Sequence, residues 1–218
     1  MWSVQDFKRE LWNNVRSPRR AERYLDEDRS PLRGRMTRTR SNIVLIGMPG
    51  SGKSTVGVIL AKQTARDFID TDVIIQTLHG RSLQDIVDKD GYVALRRIEE
   101  EVLLGLSVRN HVIATGGSAV YSDAAMSRLR SIGIVVFLHV DLPVLESRVH
   151  DMGTRGLAKS PDQSFADLYE ERLPLYMKYA DVVVKCARLT HEGVSARIVQ
   201  ELREKGIDSF QEWEKRRS

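Results

Sequence analysis

The chain has very little cysteine, few aromatic residues and no long apolar run. Cys186 is its only cysteine, which excludes an internal disulfide and a metal cluster built from cysteines. The longest apolar run, 132–140, has the length of a strand, well short of the ~18–20 residues of a membrane span. The first six residues include an aspartate, unlike a secretory signal. These absences predict a cytoplasmic protein that has no membrane partner.

The excess positive charge lies at one end of the chain. Residues 1–40 hold eleven Lys and Arg against six Asp and Glu, whereas residues 41–218 hold 23 against 24. The basic pI of 9.3 therefore describes a terminal segment, and we expect no nucleic-acid partner. The predicted organisation is a basic, flexible extension at 1–40, a catalytic domain at 41–205 and a second extension at 206–218.

A phosphate-binding pattern is the strongest motif. Residues 47–55 read Gly-Met-Pro-Gly-Ser-Gly-Lys-Ser-Thr and stand between the apolar run 43–46 and a helical pattern. This is the G-x-x-x-x-G-K-S loop in its usual strand-to-helix context. Lys53 is expected to reach the β- and γ-phosphates, and the Ser54 hydroxyl to bind Mg²⁺. A glycine-rich turn without a ligand is the alternative, but every fixed position is filled. The predicted nucleotide-binding residues of the loop are Gly50, Ser51, Gly52, Lys53, Ser54 and Thr55.

The rest of the chain alternates apolar runs with helical patterns. Strands are predicted at 43–47, 67–70, 112–115, 133–140 and 181–186, and helices near 53–65, 72–78, 82–107, 122–131, 143–150, 164–178 and 191–205. Such alternation predicts an α/β fold of three layers, a P-loop fold with a five-stranded, mostly parallel central sheet. The glycine-containing segment 151–163 lies between two helices and is expected to form a mobile lid.

Two carboxylates follow the second predicted strand, in the run Phe-Ile-Asp-Thr-Asp at 68–72. Alternate residues of a strand point the same way, so Asp70 and Asp72 are expected to face one side of the site. One carboxylate could hold Mg²⁺ while the other accepts a hydrogen bond from a substrate hydroxyl. The alternative is a helix N-cap, a role that Thr71 or Asp72 would serve.

Three further features carry weaker patterns. The charged run 95–101 is expected to face solvent for the most part, with one of its arginines facing the cleft. The Gly-Gly pair at 116–117 follows a strand and would let a ligand approach the backbone. Arg155, in the predicted lid, could neutralise charge on a transferring phosphoryl group, and Arg172 is a second candidate. Each of these arginines could equally be a surface residue.

Taken in order, these motifs resemble those of the shikimate kinases. The order is the P-loop, Asp-Thr-Asp, Arg-Arg-Ile-Glu-Glu, the Gly-Gly turn, the lid arginine and Glu-Arg-x-Pro-Leu-Tyr, and the resemblance runs from about Ile43 to Ile198. It implies a nucleoside-monophosphate-kinase-like fold and the ATP-dependent phosphorylation of the 3-hydroxyl of shikimate, with Mg²⁺ as cofactor. The implied partners are ATP and shikimate, and we expect a monomer.

The resemblance also implies a role for each matched residue. Asp70 would help to bind Mg²⁺, and Asp72 would contact the hydroxyl that is phosphorylated. Arg96 and Arg172 would grip the substrate carboxylate. The remaining implied contacts are those of Gly116 and Gly117 with shikimate, of Arg148 with adenine, and of Lys53 and Arg155 with the transferred phosphate.

The sequence departs from the family pattern at two positions. Ser118 replaces the usual third glycine of the turn, at a cost of about 1 kcal/mol if that position needs a positive φ. Gly156 replaces the proline that usually follows the lid arginine. This second departure falls in the predicted lid.

Three other functions remain open from the residues. The chain could be a kinase for another small hydroxy acid, such as gluconate, or for a hydroxy amino acid. It could be a P-loop NTPase that associates with nucleic acid through residues 1–40, or an inactive regulatory module on a kinase fold.

Because no catalytic motif precedes Gly47, a chain that begins at Met36 is expected to fold and to keep its kcat.

Overall fold

The fold is built on a parallel sheet of five strands. The structure, a computed structural model, describes residues 40–149, 156–160 and 162–206. The strands are β1 (Asn42–Ile46), β2 (Asp67–Asp70), β3 (His111–Ala114), β4 (Gly133–His139) and β5 (Val182–Lys185). Their order in the sheet is β2-β3-β1-β4-β5, and every neighbouring pair is parallel. The loop that follows the central strand β1 therefore lies at the carboxyl edge of the sheet, between the ends of β3 and β4.

Helices cover both faces of this sheet. In the described residues the α-helices are α1 (Lys53–Thr64), α2 (Thr71–His79), α3 (Leu83–Asp90), α4 (Tyr92–Gly105), α5 (Asp123–Ile132), α6 (Leu142–Val149), α7 (Phe165–Tyr179) and α8 (His191–Glu204). Helices α1 and α8 pack together on one face, and α5 and α7 pack on the other with a short 3₁₀ turn, Ala119–Tyr121. The predicted three-layer α/β architecture is confirmed.

The predicted helix over 82–107 is wrong in one respect, because it is two helices. Helix α3 ends at Asp90 and α4 begins at Tyr92, with Gly91 between them at φ 86° and ψ 160°. This backbone conformation is open to glycine and costly for other residues, so the chain changes direction here without strain. The apolar spacing on both sides is helical, which is why the pattern alone concealed the break.

Two apolar clusters hold these elements. The larger contains the strands, which read as apolar runs because both of their faces are covered. The smaller joins α2, α3, α4 and the segment 156–160 through five buried side chains: Ile75, Ile86, Leu95, Val102 and Ala158. The smaller cluster thus fixes the positions of the helices that border the site described below.

Arg40, the first residue that the structure describes, is joined to the sheet. Arg40 donates from Nε to the carbonyl of Gly133 at 2.9 Å and pairs with Asp181.

No helix in the described part of the chain is long and apolar enough to cross a membrane. Almost all of the predicted extensions, 1–39 and 207–218, lies outside the described residues, as do residues 151–155 and 161 of the predicted lid.

Candidate active site

An open cleft of about 510 Å³ lies at the carboxyl edge of the sheet. The predicted site residues that line it are Gly50, Gly52, Lys53, Ser54, Thr55, Asp72, Gly117, Arg148 and Arg172. Four other predicted site residues do not line the cleft, but each contacts a residue that does. They are Ser51, Asp70, Arg96 and Gly116. Arg155 lies outside the described residues. The fold therefore gathers residues that are up to 122 positions apart into one cavity.

The P-loop turns the beginning of α1 toward the cleft. Gly52 is the N-cap residue of α1, and Ser54 and Thr55 are exposed in its first turn. The first N–H groups of a helix have no acceptor within the helix, and the helix dipole makes this end positive. An anion such as a polyphosphate can satisfy these groups, as the sequence pattern predicted.

Lys53 is nearly buried inside the loop. Its Nζ donates to the carbonyl of Gly47 at 2.8 Å and to the carbonyl of Met48 at 2.9 Å. Burial lowers the pKa of Lys53 to about 8, while the carboxylates of Asp72 and Asp70 act in the opposite direction. A phosphate beside Nζ would favour the ammonium form, so the charge of this lysine responds to an occupant of the cleft.

The two carboxylates after β2 have different positions. Asp70 is the N-cap of α2 and accepts a hydrogen bond from the backbone N–H of Asp72 at 3.0 Å. Asp72 lies in the first turn of the helix and lines the cleft. The expected strand alternation does not relate the two carboxylates, because the strand ends at Asp70 and Asp72 belongs to the helix. The expected N-cap is present, but Asp70 forms it rather than Thr71 or Asp72.

Two arginines converge on one backbone oxygen. The Nη2 atoms of Arg96 and Arg172 donate to the carbonyl of Ala158 at 3.1 and 2.8 Å. Arg172 is only 1% exposed, whereas Arg97, the neighbour of Arg96 in the charged run, is exposed. A carbonyl oxygen that accepts from two guanidinium groups occupies a position suited to one oxygen of a carboxylate.

Tyr121 contacts both arginines, a role that no sequence motif indicated. Its ring centroid lies 3.7 Å from the guanidinium carbon of Arg96, and its hydroxyl accepts a hydrogen bond from Nε of Arg172 at 3.2 Å. A guanidinium group on an aromatic face is attracted by the ring electrons. The tyrosine follows the Gly-Gly turn by four residues, and only the folded chain brings it beneath residues 96 and 172.

Glu99 is a second residue that the sequence analysis missed. It was included in a charged run expected to face solvent, yet it is 5% exposed and lines the cleft. Burial, with the nearby charge of Asp72, raises the pKa of Glu99 to about 8. Its spacing from Leu95, Val102 and Leu103, the other buried residues of α4, was the available signal, because these positions share one helix face.

The turn after β3 needs its two glycines for space. A Cβ on Gly116 would collide with the carboxylate of Glu99, and a Cβ on Gly117 would lie 2.9 Å from Nη1 of Arg172. Ser118 has φ −94° and ψ 1°, so the strain considered for a positive φ does not arise. The turn thus brings its backbone close to the charged side chains of Glu99 and Arg172.

The P-loop end of the cleft includes Arg148 of α6. Its Nη1 donates to the carbonyl of Gly50 at 3.1 Å, which fixes the guanidinium beside the P-loop. On the opposite side, Gly156 donates its N–H to Oε1 of Gln84 at 2.8 Å, so the described part of the predicted lid is anchored on α3.

Comparison with known proteins identifies the family. A sequence model described as shikimate kinase matches residues 49–203. The shikimate kinase of Thermodesulfovibrio yellowstonii is 37% identical over 163 residues, which cover 73% of this chain and 94% of the relative. That of Paracidovorax citrulli is 40% identical over 152 residues, covering 67% and 83%. The chain belongs to the shikimate kinase family.

Solved structures of shikimate kinases have the same fold. The enzyme from Acinetobacter baumannii in complex with shikimate superposes with a TM-score of 0.70 at 30% identity, over 76% of this chain and 94% of that chain. The enzyme from Aquifex aeolicus gives a TM-score of 0.66 at 36% identity, over 76% and 98%. The predicted family and its fold are therefore confirmed, and the family match covers every described residue of the cleft.

Proposed function

We propose that the chain transfers the γ-phosphoryl group of ATP to the 3-hydroxyl of shikimate, giving shikimate 3-phosphate and ADP. Membership of the shikimate kinase family supports this activity. The observation that carries the residue assignment is the joint placement of Lys53, Asp72 and Arg172 on one cleft. A phosphate-binding group, a hydroxyl acceptor and a carboxylate-binding group are the three requirements of such a reaction.

The acid end of the cleft would bind the substrate carboxylate. Arg96 and Arg172 already donate to one oxygen, and a guanidinium pair selects a planar carboxylate through several N–H donors. The backbone of Gly116 and Gly117 would contact the substrate ring. Asp72 would then accept a hydrogen bond from the hydroxyl at a fixed distance from the carboxylate, and would take its proton as the oxygen attacks the γ-phosphorus.

The other end would bind ATP. The N–H groups of the loop would hold the phosphates, with Lys53 at the β- and γ-phosphates and Arg148 at the adenine ring. Arg155, from the predicted lid, would neutralise charge on the transferring group. The assigned loop residues are Gly50, Ser51, Gly52, Lys53, Ser54 and Thr55. Because phosphoryl transfer needs little covalent chemistry from the protein, positioning and charge stabilisation supply most of the rate.

The oxygen donors of the cleft fit a magnesium ion. No group of three or more His, Cys, Asp or Glu in the described residues could hold a metal alone. This agrees with Mg²⁺, which usually keeps several waters and binds through one or two protein oxygens and the substrate phosphates. Ser54 and Asp70 would hold it, and it would neutralise charge on the phosphate oxygens when bound. Asp70 is suited to this because its N-cap bond fixes the orientation of its carboxylate.

We further propose that the enzyme acts as a monomer in the cytoplasm. One chain supplies every described wall of the cleft, so a second subunit is not needed to complete it. The cytoplasm provides ATP, and a chain with a single cysteine gains nothing from an oxidising compartment.

An assay of ADP release tests the proposed reaction. Shikimate should be the preferred acceptor in a panel that includes gluconate and hydroxy amino acids. Asp72→Asn should lower kcat by about 10²–10⁴-fold while ADP still binds. Glu101→Gln, a change of an exposed carboxylate on α4, should leave kcat unchanged. Full activity of Asp72→Asn would disprove the role of Asp72, and preference for another acid would disprove the substrate.

A further inference from the structure

Ser118 is the residue at which this chain departs from the run of three glycines expected for the family. It is 4% exposed and lines the same cleft as Gly117 and Arg172. It also lines a smaller neighbouring cavity of about 310 Å³ whose wall includes Arg96. Ser118 therefore stands between the regions to which the two arginines belong.

The hydroxyl of Ser118 lacks a hydrogen-bond partner among the described residues. A buried hydroxyl without a partner destabilises a protein, so most are paired. Serine immediately before a helical turn usually accepts a hydrogen bond from a backbone N–H. Ser118 precedes the 3₁₀ turn Ala119–Tyr121, yet its side chain makes no such bond. The hydroxyl oxygen is thus buried from solvent and unpaired among the described residues, and a rotation of the side chain toward the cleft would give it a partner there.

The backbone at Ser118 does not account for the serine. Its φ of −94° is accessible to any residue, so neither glycine nor alanine would relieve strain. Its carbonyl accepts from the N–H of Tyr121 at 3.0 Å, and this bond is independent of the side chain. The residue can therefore be changed to alanine without disturbing the turn that carries Tyr121.

We propose that Ser118 is a further substrate-binding residue, whose hydroxyl donates a hydrogen bond to the carboxylate of the acid in the cleft. A carboxylate at Arg96 and Arg172 has lone pairs left after pairing with the guanidinium groups, and a hydroxyl donor between the arginines can use one. A glycine at this position supplies only its backbone. The inference rests on the proposed function, since it takes the arginine pair as the carboxylate site.

Calorimetry without nucleotide tests this role. Ser118→Ala should raise the Kd for shikimate by about 10- to 100-fold, the range for loss of one hydrogen bond to a charged group. The Kd for ADP should not change, and the melting temperature should not fall, because the hydroxyl has no partner in the empty protein. Ser118→Gly should weaken shikimate binding to the same extent. Ser131→Ala removes a hydroxyl that bonds the Arg128 carbonyl away from the cleft, and should leave the Kd unchanged.

A second ligand identifies the contacted group. 3-Dehydroshikimate keeps the carboxylate and has a ketone in place of the 3-hydroxyl. If Ser118 binds the carboxylate, Ser118→Ala weakens both ligands by the same factor. A penalty that disappears with the ketone, equal binding to both proteins, or equal loss of ADP binding would each overturn the proposal. If the unmodified chain binds no shikimate, the proposed function itself fails, which is a separate result.

Discussion

Arg172 donates a hydrogen bond from Nε to the hydroxyl of Tyr121 at 3.2 Å, deep in the wall of the cleft. The bond directs the terminal nitrogens of an almost fully buried guanidinium toward the carbonyl of Ala158. Since the ring of Tyr121 also supports Arg96, one side chain sets the geometry of both arginines. The geometry of the proposed acid site therefore depends on a residue outside the recognisable motifs.

Tyr121→Phe should weaken shikimate binding while it preserves the ring under Arg96. The lost hydrogen bond involves a charged donor, so we expect a cost of about 1–2 kcal/mol in shikimate binding by calorimetry. The affinity for ADP should stay the same. Tyr92→Phe is the matched control, because that ring lies 5.2 Å from the Arg96 guanidinium. Equal effects of the two changes would show that the hydroxyl of Tyr121 has no special role.

Arg172→Ala should weaken shikimate binding by about 2–5 kcal/mol, the scale for truncating one partner of a buried charge pair. Arg96→Ala should act in the same direction. Arg97→Ala, at the exposed neighbouring position, should leave the Kd near its original value. Calorimetry with shikimate and then with ADP separates the two ends of the cleft. If both ligands were weakened equally, the arginines would be structural rather than substrate-binding.

Glu99→Gln should change how stability depends on pH. Burial and the charge of Asp72 raise the pKa of Glu99 to about 8 from an ordinary value of 4.5. The folded state therefore binds more protons than the unfolded state between pH 4.5 and 8, so this residue lowers the free energy of unfolding as pH rises through that window. A glutamine side chain does not titrate, so it contributes no such dependence of the free energy of unfolding on pH.

Urea unfolding at pH 5 and pH 9 measures the difference. The two proteins should be similarly stable at pH 5, and the variant should be the more stable at pH 9 by on the order of 4 kcal/mol. Glu101→Gln, on the exposed face of α4, provides the control. Parallel pH profiles for Glu99→Gln and the unmodified protein would contradict a raised pKa.

Nucleotide binding should take up a proton at pH 8.5. Burial lowers the pKa of Lys53 to about 8, so most of this lysine is neutral at that pH in the empty cleft. Phosphates beside Nζ raise its pKa, and we expect an uptake of up to about 0.7 proton per ADP. Calorimetry in two buffers of different ionisation enthalpy measures it.

The Lys53 titration needs a clean background because Glu99 titrates in the same range. The measurement is therefore made in Glu99→Gln, with Lys53→Arg as the control whose charge does not change. Uptake that persists in the arginine variant would assign the proton to another group.

Gly156→Ala should destabilise the protein more than Gly80→Ala. Both glycines have a positive φ, 54° and 60°, so both substitutions add left-handed strain of about 1 kcal/mol. Only at Gly156 would the new Cβ also collide with the backbone of Leu83 and Gln84, whereas nothing lies within 4 Å at Gly80. Urea unfolding compares them, and equal losses would show that segment 156–160 is not packed on α3.

The features that could be predicted from the sequence are those whose residues are close together in the chain. The P-loop was recognisable because its strand, glycines, lysine and helix are adjacent in the chain, and their geometry follows from backbone preferences. The parallel sheet was predictable because strands covered on both faces are apolar throughout. The order of the motifs then indicated the family, which the comparisons confirmed.

The tertiary structure decided the features that depend on contacts between distant segments. The burial of Glu99, and with it the raised pKa, arises because Gly116 leaves space for its carboxylate. The position of Tyr121 under Arg96 and beside Arg172 requires α4 and α7 to pack around the 3₁₀ turn. Charged and polar side chains such as these are usually solvated, and only the packing of the folded chain decides which of them are removed from water. The sequence by itself therefore determined the fold and the P-loop, whereas the folded chain decided the charges and the geometry of the proposed acid site.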